Sequence, residues 1–421
     1  MNVYYYNFIL YLLIFLYSLF IYKRSKIFTI IWGVYTFSSL TTIYFISGIE
    51  YDFTNNQTIM PLIYIFVNIL LTTWPFLKLD LNKVRYSEII KNIQSMYFLD
   101  KLPTILFIIL LLPTFENLLI AITMESATFD MIYNRADSSQ AAEAIFTRLS
   151  FYSRYANKLI DFIFYIIPIL LFRELIKVKL NRRNIVFLSF IILDILLTAY
   201  TYAARTEFVK VALCVLGCYI FFHNAMPLNR IKTLNKVLLL SISFVFCGLA
   251  IITFSRFSAS SGTYDLLTWL SLYTGEGFFR FTDLMWYKND VVMMGDDNFP
   301  FFKNLIGLPT FTNGFQRREF WEPKLGVPNN IFYTYIGNFV ADFGFIITMI
   351  ISLLIGLYIN KIIKKIMNVP RFYHFIILLI FFIMITFGIM HFPYKVYNDQ
   401  MRLVGLLVLS MYGFYNRYKY I

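Results

Sequence analysis

Charge is what this chain has least of. Only 14% of its 421 residues are Asp, Glu, Lys or Arg, whereas about a quarter of a soluble domain is charged. Hydrophobic residues make up 59%, which excludes an ordinary soluble domain and reads as an integral membrane protein. Acidic residues are the scarcer sign, 24 against 37 basic, for a net charge of +13. The basic residues sit in short clusters between apolar runs, where they set membrane orientation, so the surplus does not point to nucleic acid. Cysteine is nearly absent as well. Cys214, Cys218 and Cys247 all fall inside apolar runs, which excludes a disulfide framework and a zinc site. Of three histidines only His391 lies at a candidate outer surface. Neither glycine-rich phosphate cradle occurs, Gly-x-Gly-x-x-Gly or Gly-x-x-x-x-Gly-Lys, and no basic-rich connection is long enough for a nucleotide-binding domain. Any transferase activity therefore needs a donor carried by lipid. No metal or cofactor is expected, and arginines would supply the electrostatic stabilisation that a metal supplies elsewhere. No Gly/Ser/Pro linker and no repeat divides the chain, so residues 1–421 are expected to form one membrane domain.

What the chain does have is apolar runs of roughly 20 residues, the length that crosses a bilayer. Eleven can be placed, at 3–22, 27–47, 59–77, 104–123, 157–173, 185–203, 208–224, 237–255, 335–359, 372–391 and 400–416. The expected fold class is therefore all-α, polytopic, with about 11 transmembrane helices. The first run has no basic residue before it and no small-residue cleavage site after it, and reads as a retained helix, not a signal peptide. Basic clusters at Lys23–Lys26, Lys78–Lys101, Arg173–Arg183, Arg230–Lys236, Lys361–Arg371 and Arg417–Lys419 mark one side of the membrane. By the positive-inside rule that side is cytoplasmic, placing the N-terminus outside and the C-terminus inside.

Residues 256–333 are the one long connection, expected on the outside. It carries seven basic and eight acidic residues, so its arginines are not a general attractor of anions. Arg256, Arg280, Arg317 and Arg318 bind an anion only by converging on it as planar donors to phosphate oxygens; otherwise they pair with neighbouring carboxylates. Leu266, Leu267, Trp269, Leu270 and Tyr273 suggest a helix along the membrane surface that turns at Gly275 and Gly277, and Phe146, Leu149, Tyr152 and Tyr155 suggest another. Arg205, in the short turn Ala203-Ala204-Arg205-Thr206, is a charge held near the interface, where charges mark functional sites. Its bland alternative is pairing with Glu207. Glu276, between two glycines, and Asp342, just before Gly344, are the two candidate general bases, each equally readable as a capping or salt-bridged carboxylate. Asp194, Glu116 and Asp161 lie within spans and read as pairing between helices.

Four stretches resemble the bacterial O-antigen and capsule repeat-unit polymerases of the Wzy type: Ala204-Arg205-Thr206, Tyr273-Thr274-Gly275-Glu276-Gly277, Pro328-Asn329-Asn330 and Ala341-Asp342-Phe343-Gly344. Ala204 stands where that family commonly has Gly or Ser. The resemblance implies a GT-C-like membrane glycosyltransferase of the bacterial inner membrane. It would join undecaprenyl-diphosphate-linked oligosaccharides into O-antigen or capsular polysaccharide, with a flippase and a chain-length regulator as partners. It adds Asn329 and Asn330 to the arginines as binding residues for diphosphate and glycan. Three other readings share the features: an O-antigen ligase, a polyprenyl-phosphate-sugar glycosyltransferase using Glu50 and Asp52, and a lipid-oligosaccharide flippase. The last lacks the two-fold repeat usual in transporters.

Overall fold

The computed structural model describes residues 2–22, 25–48, 52–94, 96–123, 147–202, 204–239, 266–311, 314–329 and 331–416. The described residues are helical and fall into two compact units. Among the described residues seven helices are long and apolar enough to cross a membrane, so the chain is a multi-pass membrane protein. They account for seven of the eleven expected runs. The run at 157–173 is broken at Phe164-Tyr165, 372–391 supplies a helix of only 16 residues, and the helix at Tyr397–Tyr415 carries the ion pair Asp399–Arg402 near its start. Most of 237–255 lies outside the described residues.

The first unit comprises Met1–Val84, Tyr264–Pro370 and Ile377–Leu403. Its helices are α1 (Asn2–Leu16), α2 (Lys26–Gly48) and α3 (Met60–Thr73). The second unit holds α4 (Tyr86–Gln94), α5 (Phe98–Thr123), α6 (Phe151–Ile163), α7 (Ile166–Ile176), α8 (Arg182–Thr201), α9 (Arg205–Phe222) and α10 (228–239). The chain then returns to the first unit with α11 (Leu266–Asp283), α12 (Pro300–Leu305), α13 (Gly314–Leu325) and α14 (Thr334–Asn368). The last helices, α15 (Phe372–Phe387) and α16 (Tyr397–Tyr415), each contribute residues to both units.

In the first unit α11 is not a surface helix that turns at its glycines. It runs straight through Gly275 and Gly277 to Asp283, and Phe278, Phe279 and Phe281 are fully buried. Missing Cβ atoms, not backbone freedom, explain these glycines. A Cβ at Gly275 would lie 2.5 Å from the Thr42 nitrogen on α2 and one at Gly277 2.4 Å from the Ile389 carbonyl. Small residues let apolar helices approach closely, and hydroxyls then bridge them. Ser38 donates to the Thr274 carbonyl at 2.5 Å and Thr42 to that of Gly275 at 2.8 Å. Gly275→Ala should therefore destabilise the protein, although alanine normally favours a helix by about 1 kcal/mol over glycine. The added methyl meets backbone that cannot swing aside, and overpacking costs about 1–3 kcal/mol. A lowered thermal unfolding midpoint in detergent is the expected result.

Helix α14 is two arms joined at Gly344, whose φ of 76° and ψ of 175° are non-helical. Residues 334–342 of the first arm are buried, whereas the second exposes Ile346, Ile350, Leu354 and Leu357, an apolar face suited to lipid. The expected span at 335–359 is thus a buried arm followed by the spanning one. Tyr64 fixes the joint by donating to the Phe345 carbonyl at 2.6 Å.

In the second unit Asp194 of α8 accepts from Asn117 of α5 at 3.0 Å, the interhelical pairing expected for it. Glu116 accepts from the Ser150 nitrogen at 2.9 Å. Arg173, fully buried on α7, pairs with Asp100 at 2.7 Å and Glu174 at 2.8 Å and donates to the carbonyls of Ile93 and Met96. The stripe expected for a helix along the membrane surface divides. Leu149 is buried, but Tyr152 and Tyr155 are exposed, and α6 packs through Ser153, Ala156, Ile160 and Ile163. Phe146 lies outside the described residues.

Candidate functional site

Three segments of the first unit meet where α11 crosses the two loops flanking the buried arm of α14. The loop entering α14 and the loop leaving α15 are laced together, Thr334 N–H to the Met390 carbonyl at 3.0 Å and Tyr335 N–H to that of Gly388 at 2.8 Å. Thr334 has a positive φ of 66°, a conformation that threonine adopts only when its surroundings enforce it. Gly277 brings α11 down onto the same place, its absent Cβ leaving room for the Ile389 carbonyl and the Thr334 methyl.

Helical spacing puts Tyr273, Glu276 and Arg280 on one face of α11 there. The Glu276 carboxylate and the Arg280 guanidinium form an ion pair at 3.3 Å. Glu276 is mostly buried, and the Arg280 side chain retains 26% of its exposure. Phe332 stacks on His391 with centroids 5.3 Å apart, and Tyr273 of α11 approaches Phe332 at 6.4 Å.

The same unit holds a polar hub centred on Asp297, which is wholly buried. Its carboxylate pairs with Lys395 at 2.9 Å and Arg317 at 3.4 Å, and accepts from the amides of Asn329 and Asn338, both at 3.1 Å. Four donors on one carboxylate compensate the cost of burying its charge. Asp342, on the first arm of α14, accepts from the backbone N–H groups of Asp297 and Asn298 at 3.0 and 2.9 Å, and from the Asn298 amide at 2.6 Å. It thereby pins the turn at 293–298 to the helix. The Asn338 carbonyl oxygen of the side chain accepts from Phe392 N–H at 2.9 Å, tying the hub to the His391 loop. Burial pushes the Lys395 ammonium below the usual lysine value, and Asp297 pulls it partly back.

The sequence-predicted residues distribute as follows. Glu276 and Arg280 pair at the crossing; Asp342, Arg317 and Asn329 belong to the hub. Arg317 is committed to Asp297 and to the carbonyls of Asp296 and Asp297, so it takes the carboxylate-paired alternative. Arg318, one position on, is half-exposed and makes no ion pair among the described residues. Arg205 opens α9 in the second unit, with Ala204 as N-cap, confirming a tight turn between two helices. Glu207, its suggested mate, pairs with Lys210 at 3.3 Å. Arg256, Asn330 and Glu50 lie outside the described residues, as does the side chain of Arg205.

Sequence reasoning missed Asp297, Asn338 and Lys395. Nothing local marks them: Lys395 stands alone between two apolar runs and nearly a hundred positions after its partner. An unpaired lysine in a chain so poor in charge was the available signal. No protein-family model, curated protein or solved structure matches this chain.

Proposed function

We propose that this protein polymerises lipid-linked oligosaccharide repeat units, transferring the growing glycan from undecaprenyl diphosphate to a sugar hydroxyl of the next repeat unit at the outer face of the bacterial inner membrane. The observation that carries this reading is the Glu276–Arg280 pair, held partly open on a rigid crossing inside a polytopic membrane protein. A glycosyl transfer from a lipid diphosphate needs a base for the acceptor hydroxyl and a cation for the charge that builds on the leaving group. Glu276 and Arg280 are one of each, side by side. Arg205, Arg256 and Arg318 are the further arginines proposed for the diphosphate, with Asn330 for the glycan. Asp342 is here a positioning residue, because its oxygens already hold three N–H donors away from any open surface. Arg317 and Asn329 act beside it by fixing Asp297.

Membrane vesicles from cells with and without the chain, given undecaprenyl-diphosphate repeat units already on the outer face, test the reading. A ladder of polymer is expected only when the chain is present. Unchanged polymer in its absence would overturn the proposal, and movement of repeat units without polymer would mark a transporter instead.

A further inference from the structure

We propose that the groove between α5 and α6 binds one anionic phospholipid of the bilayer, with an acyl chain in the groove and the phosphate at Lys158. The groove lies within the second unit and is lined by Ile109, Phe151, Tyr152, Tyr155, Ala156 and Leu159. Its volume is about 470 Å³, within the roughly 300–1,000 Å³ of small-ligand sites. The lining is almost wholly apolar. Its geometry starts from Pro113 inside α5, which has no N–H to give the Ile109 carbonyl four residues earlier its helical hydrogen bond. The Tyr152 hydroxyl donates to that carbonyl instead, at 2.8 Å. An unanswered backbone group is costly in hydrocarbon, so this bond holds the Tyr152 ring against α5. Phe151 and Tyr155 pack together with centroids 4.8 Å apart, and Ala156, buried and the smallest of the six, leaves the space open.

The setting selects the occupant. Ile105, Ile108 and Leu112, on the turns of α5 around Ile109, are exposed on a membrane-spanning helix, so the groove continues a surface that faces hydrocarbon. A peptide would bring N–H and C=O groups that this lining cannot answer, whereas an acyl chain brings none. Charge sets the polar end. Lys158 is exposed, stands over the Tyr155 ring at 5.3 Å and makes no ion pair among the described residues. Arg154, the other cation of α6, donates to the carbonyls of Leu149 and Thr147. Lysines on membrane helices extend along apolar surface to reach a polar headgroup. One available cation matches the single net charge of an anionic phospholipid better than the multiple charges of a polyprenyl diphosphate. The site is separate from Glu276 and Arg280 and does not rest on the polymerase reading.

The full chain, stripped of lipid in detergent, is titrated with dioleoyl phosphatidylglycerol, dioleoyl phosphatidylcholine and undecaprenyl phosphate, and bound lipid is counted by native mass spectrometry. Wild type, Lys158→Gln, Lys158→Arg and Leu159→Trp are compared, with thermal unfolding as the folding control. Lys158→Gln should weaken the first phosphatidylglycerol about 5-fold, the worth of one lysine at an anionic headgroup, and leave phosphatidylcholine within about 2-fold. Lys158→Arg keeps the charge and should stay close to the wild type. Leu159→Trp fills the groove and should weaken both phospholipids about 10-fold or more, since the chain loses its buried surface. Phosphatidylglycerol binding unchanged by Lys158→Gln would overturn the charged end, and binding unchanged by Leu159→Trp at a wild-type midpoint would overturn the groove. No phospholipid retained by the wild type would overturn the site outright, the groove then being covered by another part of the chain. Undecaprenyl phosphate bound more tightly than phosphatidylglycerol, with the same dependence on Lys158 and Leu159, would overturn the choice of a phospholipid as the occupant.

Discussion

Asp297→Asn is expected to cost more stability than any other single change in the first unit. The substitution keeps the shape but removes the one negative charge shared by Arg317 and Lys395, whose side chains are 9% and 12% exposed. Removing one partner of a buried ion pair costs about 3–5 kcal/mol, chiefly because the other charge stays buried and unpaired. Here two cations are left, and the amides of Asn329 and Asn338 would each face a carboxamide in place of a carboxylate. For a unit of this size the unfolding midpoint should fall by roughly 10 °C. Lys395→Met alone should cost less, since Arg317 remains to balance Asp297. In the Asp297→Asn background the same Lys395→Met should recover part of the loss, by removing a buried cation that has lost its ion-pair partner. Thermal unfolding of the four proteins in detergent measures this cycle. A wild-type midpoint for Asp297→Asn, or additive losses in the double variant, would show that the hub is not held by its charges.

The hub also shows where sequence ceases to inform. Apolar runs are local and long, so α1, α2, α3, α5, α8 and α9 fall where the hydrophobicity puts them. The pattern cannot tell a spanning helix from a buried one. Residues 335–359 read as one continuous span, yet the arm before Gly344 is packed on all sides by its own unit. Glycine is ambiguous in the same way. Gly344 is used for its backbone freedom and Gly275 for its missing side chain, and only the neighbour, here Thr42 some 230 positions away, decides which. Charged residues are harder still. Glu276 and Asp342 were visible because they stand beside a glycine or at the end of a run, and Arg280 because it is one of the few arginines of the long connection. Asp297 and Lys395 were not, because what they do is defined by each other. The same limit affected Arg317, a residue that reads as an anion binder in isolation and whose anion turns out to be a carboxylate of its own chain.

Arg280→Ala and Arg205→Ala are each expected to slow polymer formation by about 30- to 1000-fold, the effect of losing about 2–4 kcal/mol of stabilisation at the point where negative charge develops. The two residues stand in different settings, Arg280 in the first unit and Arg205 in the second. Arg280 sits on the straight helix α11, paired at 3.3 Å with Glu276 and partly open. Arg205 is the first residue of α9, where the positive end of the helix dipole also favours an anion. Arginine presents a planar fork to phosphate oxygens and lysine a single point charge, so each Arg→Lys variant should restore only part of what alanine removes. At Arg280 a second comparison separates roles. Glu276→Gln leaves the guanidinium in place, so if the carboxylate only positions Arg280 the rate should fall a few-fold, whereas loss of the base itself should cost about 100-fold or more. Rates are read from the vesicle assay at matched amounts of protein in the membrane. Normal polymer from Arg280→Ala would remove that residue from the leaving-group role and return the pair with Glu276 to a structural one, and normal polymer from Arg205→Ala would do the same for the turn before α9.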